Sequence, residues 1–173
     1  MSFAETTKNG VTVTYSQGIA GAGGAVHAFS TRLGGVSGGY YASMNLQCSG
    51  PEPDEWKNVL ENYRRFCAAL GTDVRDVVRS RQVHKDTVRH VTGADRGKGL
   101  FADRDYTADA LVTDEPGLNL MVFSADCIIL LLHDPVRRVI GAAHAGWRGT
   151  AAGIAAETVR VMTCLLYTSP SPR

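Results

Sequence analysis

A chain of 173 residues, 44% of them hydrophobic and 20% charged, is long enough to bury a core and ordinary enough in composition for a globular domain. Its formal net charge of +1 supplies no bulk attraction for nucleic acid or an anionic membrane, and neither is expected as a partner. No basic-then-apolar stretch reads as a leader, and the apolar region from Leu118 to Leu132 is broken by Asn119 and by Ser124-Ala125-Asp126-Cys127, so no membrane span is expected. Cys48, Cys67, Cys127 and Cys164 show no CxxC spacing, which points to reduced thiols and a cytoplasmic setting.

Taken in chain order, Val11-Thr12-Val13-Thr14-Tyr15 alternates with period two and reads as a strand, and Val26 to Ser30 reads as another. A glycine- and serine-rich loop lies between Gly34 and Gly50, of a length that is usually either functional or disordered. From Asp54 to Leu70 the apolar residues Trp56, Val59, Leu60, Tyr63, Phe66, Cys67 and Leu70 share one helical stripe, with Asp54 as cap and Gly71 as terminator. Short β-type runs at Val77-Val78 and Thr87-Val88 flank Gln82-Val83-His84. Strands are then expected at Ala110–Thr113, Leu118–Phe123, Ile128–His133 and Val139–Ala143, and a helix at Thr150–Met162. This order predicts one α+β domain over residues 1–162, a layered mixed sheet flanked by helices. Residues 163–173 lose the helical period and end in Ser-Pro repeats. They read as a non-native or disordered tail that leaves the domain incomplete.

Three segments place a metal-capable side chain at the end of an apolar run: Gln82-Val83-His84, Ser124-Ala125-Asp126-Cys127 and Ala142-Ala143-His144-Ala145-Gly146-Trp147-Arg148-Gly149. Two imidazoles and a thiolate suit a catalytic zinc, which typically takes three protein ligands and keeps a fourth position open. The spacings, 43 and then 17 residues, match no local finger or ribbon. Taken alone, the same residues read more readily as a cysteine buried as a small hydrophobe beside two histidines. His90 and His133 read as solvated.

These segments, with His27-Ala28-Phe29-Ser30-Thr31-Arg32-Leu33-Gly34-Gly35-Val36-Ser37, Asn45-Leu46 and Ala108-Asp109-Ala110-Leu111-Val112-Thr113, occur in the order of the laccase-domain, or YfiH-like, family, which the chain resembles over about residues 25–162. The resemblance implies that His84, Cys127 and His144 bind zinc. It implies phosphorolysis of purine nucleosides (adenosine, inosine, guanosine and methylthioadenosine), along with adenosine deamination. It also brings an older polyphenol oxidase label and a link of some members to peptidoglycan editing. Ile129 stands where the family usually has proline, and members usually continue several tens of residues further.

On that footing Asp126 and Asp109 are candidate proton carriers, Asp109 being alternatively a turn cap. Arg148, beside a helix start, and Arg32, in the glycine-rich loop, are candidate phosphate ligands, against the plainer reading of surface ion pairs. Ser30 and Asn45 are candidates for hydrogen bonds to ribose or phosphate, and His27 for lining the pocket. Copper is the alternative metal, but five histidines without a His-x-His pair cannot build a multicopper cluster. A hydrolase with Cys127 as nucleophile and His144 or His84 as base, or a binding module with a structural metal, are the remaining alternatives. Oligomeric state is not legible.

Overall fold

A computed structural model describes residues 2–47 and 53–168; Cys48 and residues 169–173 lie outside them. The chain divides into two compact units, residues 1–74 and 75–173.

The first unit opens on a hairpin. Strands β1 (Phe3–Lys8) and β2 (Val11–Ser16) pair antiparallel across Asn9-Gly10, whose φ angles of 52° and 78° match the primed turn that suits strand twist. The Asn-Gly signal was in the sequence, but β1 has apolar residues only at Phe3 and Ala4 and is mostly exposed, so its pattern is weak. Ser16 Oγ accepts from the Ile19 N–H and starts helix α1 (Gln17–Ala22), which the sequence reading also lacked. Strand β3 is shorter than expected, Phe29–Ser30 alone, paired to β2; Val26 is exposed rather than packed.

Helix α2 (Trp56–Leu70) buries Val59, Asn62, Tyr63, Phe66, Cys67 and Ala69 against the hairpin strands. Its cap position is Glu55, and Asp54 works one residue earlier, accepting from the Glu55 N–H at 2.8 Å and from Asn45 Nδ2 at 3.1 Å. Asn62 is fully buried and holds the glycine-rich loop. Its Oδ1 accepts from the Val36 N–H at 2.7 Å, while its Nδ2 donates to Ser37 Oγ, the Ser43 carbonyl and the Asn45 carbonyl at 2.8–3.2 Å.

Among the described residues, the second unit holds two sheets. Strands β4 (Val77–Arg79) and β7 (Asn119–Met121) pair parallel. Strands β5 (Val88–His90), β6 (Ala110–Thr113), β8 (Ile128–Asp134) and β9 (Val139–Ala145) form a mixed sheet in the order β5-β6-β9-β8. β5 and β6 run parallel, and the other neighbours antiparallel. The run Leu130–Leu132 packs small against large: Leu130 joins Ala110, Ala143, Ala145 and Ile154, and Leu132 joins Val112, Val139 and Met162. A separate cluster of Val78, Val91, Ala108, Leu111 and Leu118 links the two sheets. Each such fully buried branched side chain stabilises by about 1.5–3 kcal/mol.

The single expected C-terminal helix is two, α3 (Trp147–Ala152) and α4 (Ile154–Thr168). Gly153, at φ 90°, takes the left-handed conformation that ends α3. α4 lies over β5, β6 and β9 and continues past Met162, because Leu165 packs against the Val112–Val139–Met162 cluster and so extends the i, i+3 spacing by one more turn. The layered α+β architecture is as expected. No helix among the described residues is long and apolar enough to cross a membrane.

Candidate metal centre

The β6–β9–β8 end of the mixed sheet builds the site. Ala110 of β6 lies opposite Ala143 of β9, and the ladder extends one residue further, the His144 N–H donating to the Asp109 carbonyl at 2.7 Å. Asp109 and His144 therefore face each other across the strands, and Asp109 Oδ1 lies 2.9 Å from His144 Nδ1. Ile128 of β8 lies opposite Ala145, so Cys127, one residue before, falls level with Gly146. His84 comes from the loop after β4.

The donor atoms of His84, Cys127 and His144 lie within 4.8 Å of one another. With metal–ligand bonds of about 2.0–2.3 Å, side-chain shifts of about 1 Å bring all three onto one ion. The imidazoles of His84 and His144 meet edge to face, 4.7 Å between centroids. Exposure grades from His144, buried, through Cys127 to His84, exposed, so the centre opens on the His84 side. A Cβ placed on Gly146 would fall 3.0 Å from His84 Cδ2, 3.2 Å from Cys127 Sγ and 3.5 Å from His144 Cε1. Only glycine leaves that space to the three ligands.

Asp109 organises the centre. It is fully buried, and its carboxylate accepts from the N–H groups of Val83, His84 and Lys85 at 2.9–3.2 Å as well as from His144. Three successive N–H groups converge on one anion because His84 itself adopts φ 61°, a left-handed strain of about 1–2 kcal/mol for a non-glycine residue. Burial pushes the Asp109 carboxyl up, but the bonds from Lys85, His144, Val83 and His84 outweigh it and hold the group below the ordinary carboxylate range. A carboxylate only accepts, so His144 carries its hydrogen on Nδ1 and leaves Nε2 as the atom that could meet a metal.

Two further contacts fix the ligand loops. Gln82 forms a two-way clip with Phe123, Nε2 donating to the Phe123 carbonyl at 2.8 Å and Oε1 accepting from its N–H at 2.7 Å. Ser124 Oγ donates to the Cys127 carbonyl. Gly149 lets α3 approach the His84 loop, since a Cβ there would lie 2.8 Å from the Lys85 carbonyl oxygen. Gln82, Gly146 and Gly149 had no assigned role in the sequence reading, although each sits inside the motif that supplies a ligand.

The other candidate residues fall as follows. Asp126 is exposed beside Cys127. Arg148 is exposed in the first turn of α3, its guanidinium 4.8 Å from the Trp147 ring. The remaining four belong to the first unit. Arg32 donates to the Ala42 carbonyl through Nε and Nη2. Asn45 is engaged by Asp54 and by the Gln47 N–H. His27 Nε2 lies 2.9 Å from the Ser16 nitrogen and 3.1 Å from its oxygen, and Ser30 is exposed on β3. His90, expected to be solvated, pairs with Asp114 at 2.9 Å. His133, expected likewise, lies on β8 with Nδ1 buried.

Residues 26–172 match the family described as multi-copper polyphenol oxidoreductase laccase. The chain belongs to this family. Among its relatives, a purine nucleoside phosphorylase of Deinococcus radiodurans is 45% identical over 139 residues, 80% of this chain and 50% of that protein. Purine nucleoside phosphorylase YlmD of Geobacillus stearothermophilus is 37% identical over 150 residues, 86% of this chain and 54% of that protein. The crystal structure of YlmD from G. stearothermophilus superposes with a TM-score of 0.82 at 34% identity, covering 96% of this chain and 60% of that one. That of Bacillus licheniformis YfiH gives 0.72 at 36%, covering 82% and 53%. This laccase-family chain thus spans about half the length of the curated relatives it matches.

Proposed function

We propose that the chain is a cytoplasmic zinc-dependent purine nucleoside phosphorylase acting on adenosine, inosine, guanosine and methylthioadenosine, with adenosine deamination as a secondary reaction. The observation that carries this reading is the convergence of His84, Cys127 and His144 within 4.8 Å, in a chain whose relatives are named for that activity. Two imidazoles and a thiolate fit zinc, and the space beside Gly146 is clear for it. Bound there, zinc would supply Lewis-acid polarisation of a substrate oxygen.

The protein's own groups do the rest. Phosphate displaces the base from the ribose anomeric carbon, the glycosidic C–N bond breaks, and the departing purine takes up a proton. Asp126, exposed beside Cys127, is assigned to proton transfer. Arg148 offers its guanidinium edge to phosphate. Asp109 is assigned to orienting His144 and the His84 loop rather than to carrying a proton, since both its oxygens are taken by protein donors. For Arg32, Ser30, Asn45 and His27 a substrate- or phosphate-binding role is proposed from the sequence resemblance, and an Arg32→Ala variant with unchanged KM for phosphate would remove the first.

Release of free base from adenosine or inosine, dependent on added phosphate and abolished in Cys127→Ala, is the expected result. Absence of phosphate-dependent cleavage by the protein with zinc bound would overturn the reading. The family's description favours copper at the same ligands as a second reading. Oxidase activity that rises with copper loading while phosphorolysis stays absent would select it.

A further inference from the structure

Two large apolar side chains stand in solvent at the mouth of the metal centre, each a short step from a ligand. Ile128 follows Cys127 and is 63% exposed; Trp147 follows the Gly146 that backs all three ligands and is 74% exposed. Because Ile128 pairs with Ala145 across β8 and β9, both lie at the same end of the sheet, the end that carries His144 and Cys127. Apolar side chains held in solvent beside a polar centre are placed to meet a ligand that enters it. The composition of this patch narrows the ligand. One side of the indole is stacked by the Arg148 guanidinium at 4.8 Å, which braces the ring and leaves the rest of it open. A braced, open aromatic face is a platform for a flat heterocycle, and purine stacking on such a face is tolerant of which purine it is. The stacked guanidinium keeps its N–H edge in plane, free to meet an anion.

We infer that Trp147 is the stacking face for the nucleobase, with Ile128 as its apolar flank and Arg148 as the brace. This deepens the nucleoside reading of the centre and rests on it. It makes Trp147 a base-binding residue with no part in holding the metal.

The chain has two tryptophans, so Trp56→Phe leaves Trp147 as the only indole reporter. In that background, titration with inosine or adenine is expected to quench the fluorescence saturably, while ribose 1-phosphate, which lacks a base, is expected not to. In the otherwise unaltered chain, Trp147→Ala is expected to raise KM for inosine about 5- to 150-fold, the range of one lost base–aromatic stack. Zinc affinity should stay unchanged, and Trp147→Phe should recover most of the loss. Unchanged inosine KM in Trp147→Ala, or no quenching by purines, would overturn the inference. Saturable quenching by adenine without any phosphorolysis would sink the proposed reaction and still support the stacking face.

Discussion

The two units each wrap a functional-looking loop around a single buried polar side chain, and the two side chains differ in charge. In the first unit the neutral amide of Asn62 both accepts and donates, tying Val36, Ser37, Ser43 and Asn45 together. In the second, the carboxylate of Asp109 only accepts, gathering three N–H groups of the His84 loop and the ring of His144. An amide can fix a loop's shape. A carboxylate fixes shape and also sets which nitrogen of a histidine is free and how basic it is. The same packing device fixes loop shape in one unit and, in the other, also orients a histidine of the candidate metal centre.

The sharpest way to break this comparison is to remove the charge. Asp109→Ala leaves three N–H groups and an imidazole without their acceptor; a loss of about 3–5 kcal/mol in unfolding free energy is expected, together with a ~10- to 100-fold drop in zinc affinity. Chemical denaturation and a competitive zinc titration check the two effects. The counterpart Asn62→Ala is expected to destabilise by roughly 2–4 kcal/mol for its lost buried bonds while leaving zinc affinity unchanged; a matching loss of zinc would erase the distinction between the units.

Gly146→Ala inverts the pattern. Its methyl group would press on all three ligands, so zinc affinity should fall about tenfold or more, the scale of a disturbed ligand shell, with a stability change of under about 1 kcal/mol in the metal-free protein. The last effect concerns acid stability, away from the metal centre. Burial raises the Asp95 carboxyl, but the Thr92 N–H and Lys98, with Arg89 nearby, hold it below the ordinary carboxylate range. Its stabilisation is thus present above about pH 4 and lost as pH falls through the lowered folded value. Asp95→Asn should destabilise by roughly 1–3 kcal/mol at neutral pH and flatten the acid limb below pH 4, read as melting temperature against pH.

Much of the second unit was legible because its strands are continuous apolar runs: Ala110–Thr113 was bounded as observed, and β8 and β9 within two residues. The hairpin partner β1 and helix α1 were not, since neither buries an apolar face that periodicity can register. The division of the last helix was signalled by Gly153, which an otherwise helical pattern hides. At the site, the candidate ligand residues were visible from motif order, but their convergence is a product of strand register, 109 against 144 and 127 level with 146, which spacing along the chain does not encode. The work of Asp109 was hidden for the same reason: a carboxylate before a strand reads as a turn cap until the opposing strand supplies its histidine.

In the proposed function His84, Cys127 and His144 act together as one metal centre. A competitive zinc titration on the chain and on its Cys127→Ala variant tests this most directly. One tightly bound zinc per chain, lost or greatly weakened when Cys127 is replaced, is the predicted result. Equal zinc affinity in the two proteins would contradict it.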